Sequence, residues 1–332
     1  VNDRADRITT VVARAAGGPE VIEVVRTPRP APAAGEVRVR VGAIGVNFAD
    51  VMCRQAVHRS MRPPPIVLGC EAAGVIDAVG PGVAAGRVGE RVGVYSPFGG
   101  AYAESLVVPS AYALPLPPDM PVDVAAAFTH VYLTAWTALH LGGDPVPGDS
   151  VLVTAAAGGL GGALLDVAVA LGLRPVAAVG SPVKAARLRE RGVGCVVDYA
   201  DGGLARAVLL ATDGRGVDVA VETVGGALCA EAQACLAPLG RLVIAGMAGG
   251  DAPVPDVPTL LARSAVCATL NLSVVFAHRP AAAHAAWNRI VGLWERGRLT
   301  PRIGHRFALA DAAQAHRLLE SRASTDKILL VP

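Results

Sequence analysis

Paired cysteine spacing is missing from this chain: its six cysteines, Cys53, Cys70, Cys195, Cys229, Cys235 and Cys267, include no CxxC. Scattered thiols fit a reduced, cytoplasmic protein better than a disulfide framework. Excess charge of one sign is missing too. Lys and Arg number 30 against 28 Asp and Glu, with no block of like charge. That removes the electrostatic case for a nucleic acid or an anionic membrane as partner and leaves a small molecule. The opening VNDRADRITT has no apolar signal core, so secretion is not expected. The longest charge-free candidate span is VAAAFTHVYLTAWTALHLGG, at 124–143. It has the length for a bilayer, but its histidines, threonines and small residues are those of a buried helix in a soluble protein.

What is present suits two domains. The chain has 332 residues and is 52% hydrophobic, enough for large cores. From Thr9 to about Pro118, short β-branched runs such as EVRVRVGAIGV and ERVGVY alternate with Gly and Pro, the pattern of a β-rich module with tight turns. The stretch ALPLPPDMPVD reads as a stiff junction. Beyond it strands and helices alternate: DSVLVTAA, a helix from Gly161, RPVAAVG, SPVKAARLRERG, CVVDY, LARAVLLATDG, VDVAVETVG, the helix ALCAEAQACLAPLG, RLVIAG and AVCATL. Such alternation implies right-handed crossovers and a doubly wound parallel sheet, hence an α/β protein. A long helix over AAAHAAWNRIVGLWERGRL and a last strand, KILLVP, follow.

The turn AAAGGLGG carries the chemistry. Ala156, Ala157, Gly158, Gly159, Leu160 and Gly161 occupy the six positions of a GxGxxG fingerprint, with Ala in place of the first glycine. A helix N-terminus offers unpaired amides and partial positive charge, and glycine leaves them bare for a phosphate. Gly158 allows the close approach of a pyrophosphate, and Gly161 allows the helix to pack tightly. After the second strand, where an NAD enzyme places an acid, the sequence reads VGSPVKAARLR. Gly180 and Ser181 leave room there, and Lys184, with Arg187 a turn later, suits a 2′-phosphate. NADPH is therefore the expected cofactor. Tyr199 is placed to close the adenosine pocket or to sit in the core with a wet hydroxyl.

Taken in order, AIGVNFADVMCR, PPPIVLGCEAAGVIDAVG, GERVGVY, GGAYAESLVVP, TAWTAL, AAAGGLGG, GSPVK, VDVAVETVG and ADAAQAHRLLESR resemble the medium-chain dehydrogenase/reductase superfamily, in its zinc-independent quinone oxidoreductase (zeta-crystallin-like) branch. The resemblance implies a GroES-like β-rich catalytic domain over 1–122, a Rossmann NADPH-binding domain over 123–270, and a segment, 271–332, returning to the catalytic domain. It also implies a homodimer, and an exposed edge strand near Val266 could pair across a two-fold axis. By the same resemblance Asn47 meets the nicotinamide ribose and Thr134 the nicotinamide face or phosphate. Gly246 and Met247 meet the chain near the nicotinamide, and Asn271 and Lys327 approach the cofactor.

Zinc-dependent members bind metal at positions that fall here on Asn47, Cys70 and near His130. Asparagine is a poor zinc ligand and the cysteine-rich structural lobe is missing, so no metal is expected. Hydride transfer without a Lewis acid suits a quinone or an α,β-unsaturated carbonyl. Many members carry a tyrosine shortly after the asparagine, where Met52 stands here. The proton donor is therefore unknown, with His130 and Tyr132, and also Tyr95 and Tyr102, as substitutes. Asp50, Arg54 and Glu71 match family positions, and an ion pair organising the loop explains them equally well. Two alternatives stand beside a quinone or enone reductase. One is an enoyl reductase on CoA- or carrier-bound thioesters, with Arg54, Arg59 and Arg62 at the rim of its entrance. The other is an NADPH-binding relative without turnover. Phe48, Phe98 and Phe276 lie on loops expected to shape the pocket.

Overall fold

A computed structural model describes residues 6–58, 62–200 and 203–332. Arg59, one of the three expected rim arginines, lies outside the described residues. The chain folds as two compact units, Val1–His130 with Pro301–Pro332, and Val131–Thr300.

The first unit begins with β1 (Arg7–Ala13), β2 (Ile22–Pro28), β3 (Glu36–Val46), α1 (Phe48–Arg54), β4 (Ile66–Val67), β5 (Glu71–Val79), β6 (Arg91–Tyr95), β7 (Ser105–Pro109), β8 (Ala113–Pro115) and α2 (Val122–Ala126). In β3 the alternation of EVRVRV buries Val37, Val39 and Val41 on one face, and the apolar end of the strand is buried on both. After α3 (Thr129–Thr137) the second unit runs β9 (Ser150–Val153), α4 (Gly159–Ala170), β10 (Arg174–Val179), α5 (Pro182–Glu190), β11 (Cys195–Asp198), α6 (Leu204–Ala211), β12 (Val217–Glu222), α7 (Ala227–Ala234), β13 (Leu236–Ile244), α8 (Val257–Arg263), β14 (Val266–Thr269), α9 (Leu272–His278) and α10 (Pro280–Glu295). The chain then returns to the first unit with β15 (Ile303–Ala308), α11 (Ala312–Glu320) and β16 (Lys327–Val331).

In the first unit the main sheet has the order β15-β16-β3-β5-β6-β8, with β7 also on β3, and a smaller sheet is ordered β2-β1-β4. The last strand, β16, pairs antiparallel with β3, Ile328 opposite Val46. That register sets Lys327 beside the residue that follows β3, Asn47. The second unit is a six-stranded parallel sheet ordered β11-β10-β9-β12-β13-β14. Its strand order reverses between β9 and β12, the switch point of a Rossmann sheet, where loops leave in opposite directions and open a crevice.

Four expectations shift. The domain boundaries move to 130/131 and 300/301, and residues 271–300, expected in the catalytic domain, belong to the second unit. There α10 buries Ala283, Ala286, Trp287 and Ile290, a helical stripe, and the Thr300 N–H donates to Asp166 on α4 at 3.0 Å. The helix expected from Gly161 starts at Gly159, because Gly158 is already the extended cap residue. The helix expected over 227–240 ends at Ala234, and Leu236 opens β13, since Leu236 and Leu242 are both needed in the core under the sheet. The charge-free stretch at 124–143 is broken into α2, α3 and a π-helical turn, and among the described residues no helix is long and apolar enough to cross a membrane. Helix α8 carries no counterpart in the sequence reading.

Candidate active site

At the end of β9 the Thr154 hydroxyl accepts the Thr223 N–H at 2.9 Å, tying β9 to β12 at the switch point. The chain then turns at Ala155, which is left-handed with φ +48°. Alanine is tolerated as the first fingerprint residue, Ala156, because the left-handed turn falls one residue earlier. The glycines after it differ in what they do. A Cβ on Gly161 would lie 2.3 Å from the Ala155 carbonyl oxygen and 2.6 Å from Ala156 Cα, so packing alone demands glycine there. A Cβ on Gly158 would come no closer than 3.4 Å to the same oxygen, an ordinary contact. Nothing in the fold requires glycine at 158. Its effect is to leave the first turn of α4, through Gly159 and Leu160, uncovered, with Ala157 buried beneath.

On the far side of β9, Gly180 follows β10 and is exposed. A Cβ on it would meet the Tyr199 ring at 2.8 Å, so the ring lies against the Gly180 backbone. Ser181 caps α5 with extended backbone and makes no side-chain cap hydrogen bond, and Lys184 sits half-buried in the first turn. Four of the expected adenosine-side residues, Gly180, Ser181, Lys184 and Tyr199, therefore gather at the ends of β10 and β11. Across the switch point, Glu222 is fully buried at the end of β12 and its carboxylate accepts the Val224 and Gly225 amides at 2.6 and 2.9 Å. Burial raises its pKa against those two bonds. A Cβ on Gly246 would stand 2.8 Å from the Thr223 carbonyl oxygen, and one on Gly225 would stand 3.3 Å from Met247 Cβ, so Gly246 and Met247 pack directly on the turn after β12. Thr134 is buried in α3. Asn271 caps α9, its Oδ1 accepting Ser273 N–H at 3.0 Å and the Ser273 hydroxyl at 2.6 Å.

The first unit supplies a buried polar network. Asn47, at the N-cap of α1, donates from Nδ2 to Gly45 O at 3.2 Å and to Glu71 Oε2 at 3.0 Å, while its Oδ1 accepts from Lys327 Nζ at 2.5 Å. Lys327 also pairs with Glu71 at 2.7 Å, and Glu71 Oε1 accepts the His130 N–H at 2.6 Å. Both amide protons of Asn47 are thus spent, and its oxygen keeps one lone pair for a further donor. Asp50 closes a capping box with Asn47 and accepts the Tyr102 hydroxyl at 3.1 Å. His316 Nε2 lies 3.1 Å from that hydroxyl, and its Nδ1 lies 3.3 Å from Arg54 Nη1. Arg54 grips Glu320 through both terminal nitrogens, at 3.0 and 2.6 Å. Burial raises the Asp50 pKa to about 6, and burial lowers His130 to about 4 and, with the Arg54 charge, His316 to about 3.

Residues 33–118 match the family described as alcohol dehydrogenase GroES-like domain, and residues 191–330 the family described as zinc-binding dehydrogenase. The quinone oxidoreductase of Pseudomonas aeruginosa is 36% identical over 317 residues, covering 95% of this chain and 97% of its own length. The 2-haloacrylate reductase of a Burkholderia species is 34% identical over 332 residues, covering 95% and 96%. The crystal structure of Escherichia coli quinone oxidoreductase complexed with NADPH matches with a TM-score of 0.91 at 30% identity, covering 98% of this chain and all of that one. The chain belongs to the medium-chain dehydrogenase/reductase superfamily, in its zinc-independent quinone oxidoreductase branch.

Within that superfamily, the zinc-ligand positions here do not suit a divalent cation. Asn47 Oδ1 already holds the Lys327 ammonium, and among the described residues no group of three His, Cys, Asp or Glu is arranged to hold a metal. The substitute acids separate by environment. Tyr132, itself buried, donates to the half-buried Asp166 at 2.6 Å, which also takes the Thr300 amide, and its role is to fasten α3 to α4. Tyr102 is fully buried in the Asp50 network, and Tyr95 is nearly so, stacked on His130 at 5.3 Å between centroids. Met52, half-buried on α1, has no transferable proton. His130 remains, partly exposed and neutral at ordinary pH. Arg54, expected at an entrance rim, is instead fully buried, because its ion pair with Glu320 anchors α1 to α11. Arg62 is the exposed member of that trio among the described residues. Of the pocket phenylalanines, Phe98 is exposed, Phe48 half-buried and Phe276 buried in α9. The network around His316 and Glu320 had no sequence signal, since their partners lie more than 200 positions away.

Proposed function

We propose that this chain is an NADPH-dependent, metal-independent reductase of quinones or α,β-unsaturated carbonyls. The observation that carries the reading is Gly158: the fold tolerates a side chain there, so its bareness serves what docks on the first turn of α4. The residues fit a phosphorylated dinucleotide. Ala157 to Leu160 hold the pyrophosphate, Lys184 meets the 2′-phosphate with no acid after β10 to oppose it, and Tyr199 over Gly180 walls the adenine side. Gly246 and Met247 on the turn after β12, Thr134 on α3 and Asn271 at the cap of α9 are the nicotinamide-side residues of the second unit. Asn47 and Lys327 are those of the first. Because Asn47 has no amide proton left, it receives a hydroxyl proton from the ribose rather than donating to it. Bound NADPH supplies hydride from its nicotinamide to an electrophilic ring or β-carbon. The protein supplies orientation and a dry surface.

Relatives named as a quinone reductase and a 2-haloacrylate reductase support this substrate class, since both names describe conjugated electrophiles. The test is NADPH oxidation with a panel of quinones, enones and enoyl-CoA thioesters. Turnover of quinones or enones is expected. Turnover of thioesters alone would move the assignment to an enoyl reductase, and tight NADPH binding with no turnover of any substrate would sink it. A homodimer is proposed with it: β14 ends the parallel sheet, and its Val266 is 55% exposed, a free edge that a second copy can extend.

A further inference from the structure

We propose that Glu222 is a positioning residue for the nicotinamide half of NADPH: its buried carboxylate holds the turn 223–225 in shape, and that turn carries the Gly246–Met247 segment. The proposal rests on the NADPH reading above. Glu222 is the last residue of β12, and burial runs unbroken along the strand from Val219 to Glu222. A carboxylate at such a place is costly unless donors surround it. Its donors are two successive amides. Val224 N–H lies 2.6 Å from Oε1, and Gly225 N–H lies 2.9 Å from Oε2 and 3.0 Å from Oε1. Successive amides aimed at one point form an anion cradle, and the chain fills this one with its own side chain. Gly225 makes the curl with φ +83°, and a Cβ on it would collide with the Asp251 carbonyl oxygen, so the turn demands glycine.

The turn is a support because the next loop is laid along it. The Ala245, Ala248 and Gly249 amides donate to the carbonyls of Glu222, Thr223 and Val224 at 2.8, 3.0 and 2.7 Å, a ladder that continues past the end of β13. Gly246 and Met247 stand between its rungs. On the other side Thr223 is fastened to Thr154, its N–H to the hydroxyl at 2.9 Å and its own hydroxyl to the Thr154 carbonyl at 3.4 Å. The end of β9, the turn and residues 245–249 are thus joined rung by rung at the switch point. The Glu222 carboxylate pins the middle member.

Placement confines the effect to one half of the cofactor. Lys184 and Tyr199, which the proposed function gives to the adenosine half, follow β10 and β11, on the far side of β9 from β12. Glu222 is fully buried and acts through the backbone it holds, not by contact with a ligand. A residue with fewer acceptors in its place leaves an amide of the turn short of a partner. The turn then shifts to satisfy it and takes Gly246 and Met247 along, while the adenosine side keeps its seat.

Calorimetry of the full chain with two ligands tests this: NADPH, and adenosine 2′,5′-bisphosphate, which carries the adenosine half without the nicotinamide. Glu222→Gln keeps the size but loses the charge and one acceptor oxygen. It is expected to weaken NADPH about tenfold and to leave the bisphosphate within about twofold of wild type. The emission of bound NADPH is expected to shift in the same variant, since the nicotinamide is the fluorescent half. Gly249→Ala reaches the ladder from the other side: its methyl would stand 2.8 Å from the Val224 carbonyl oxygen, with Glu222 untouched. The same selective loss is expected there, and this variant decides if Glu222→Gln fails to fold. Wild-type NADPH affinity in a folded variant, or equal weakening of both ligands, overturns the inference alone. A wild-type chain that does not bind NADPH overturns the cofactor reading, and the inference with it.

Discussion

Lys327 is one of only two lysines in the chain, and it is 3% exposed against a Glu71 that is fully buried. Removing one partner of such a pair leaves an uncompensated charge in a medium that cannot solvate it. Lys327→Met is expected to cost about 3–5 kcal/mol in urea unfolding, and adding Glu71→Gln to recover part of that loss. Equal stability of the two variants would mean that the pair is not what balances Glu71. The other lysine, Lys184, is half-buried on α5, and the proposed function gives it the 2′-phosphate to bind. Lys184→Ala is expected to weaken NADPH about tenfold by calorimetry and to leave NADH unchanged. The place of Lys184 in the first turn of α5 was legible because it follows the end of a readable strand, β10. Lys327 was placed by resemblance alone, for KILLVP reads only as a strand, and its meeting with Asn47 spans 280 positions.

At the scale of the element, strand, turn and helix around AAAGGLGG were readable because period and glycine punctuation change there together. The division of labour among the glycines was not, since it depends on which backbone atoms lie where a Cβ would go. Three alanine substitutions separate those roles. Gly161→Ala drives a methyl into the Ala155 carbonyl and Ala156 Cα, and is expected to lower stability by several kcal/mol. Gly162→Ala meets nothing within 4 Å and is expected to stabilise by up to about 1 kcal/mol, through helix propensity. Gly158→Ala is expected to melt near the wild-type temperature yet bind NADPH at least tenfold more weakly, because its methyl covers amides that the fold itself does not need. Normal binding by Gly158→Ala would remove the turn from the phosphate site. Elsewhere the reading failed where one apolar run served two elements. ALCAEAQACLAPLG continues the helical spacing of α7 into residues that the parallel sheet claims for β13. Period alone cannot choose between a buried helix and a buried strand.

For the molecule as a whole, acid stability is set by buried groups of the first unit that pull in opposite directions. His316 is fully buried with a pKa lowered to about 3, so below about 6.5 the unfolded chain takes up a proton that the folded chain refuses. Its contribution is present above that value and is lost as pH falls. His130, lowered to about 4, acts in the same direction but more weakly, being partly exposed. Asp50, raised to about 6, acts the other way: the folded chain keeps a proton that the unfolded chain releases, so its stabilisation is full below about 3.8 and is lost as pH rises through 6. Between about pH 6.5 and 4.5, His316 removes about 2 kcal/mol and Asp50 returns slightly less. With His130 added, the balance is a net loss on acidification. Urea midpoints measured across that range should therefore fall, and His316→Gln, which cannot charge, should flatten the decline while starting from a lower stability at pH 7. Asp50→Asn should steepen it, because the returning contribution is gone. A His316→Gln variant that declines as steeply as the parent would mean that the acid limb comes from outside this network.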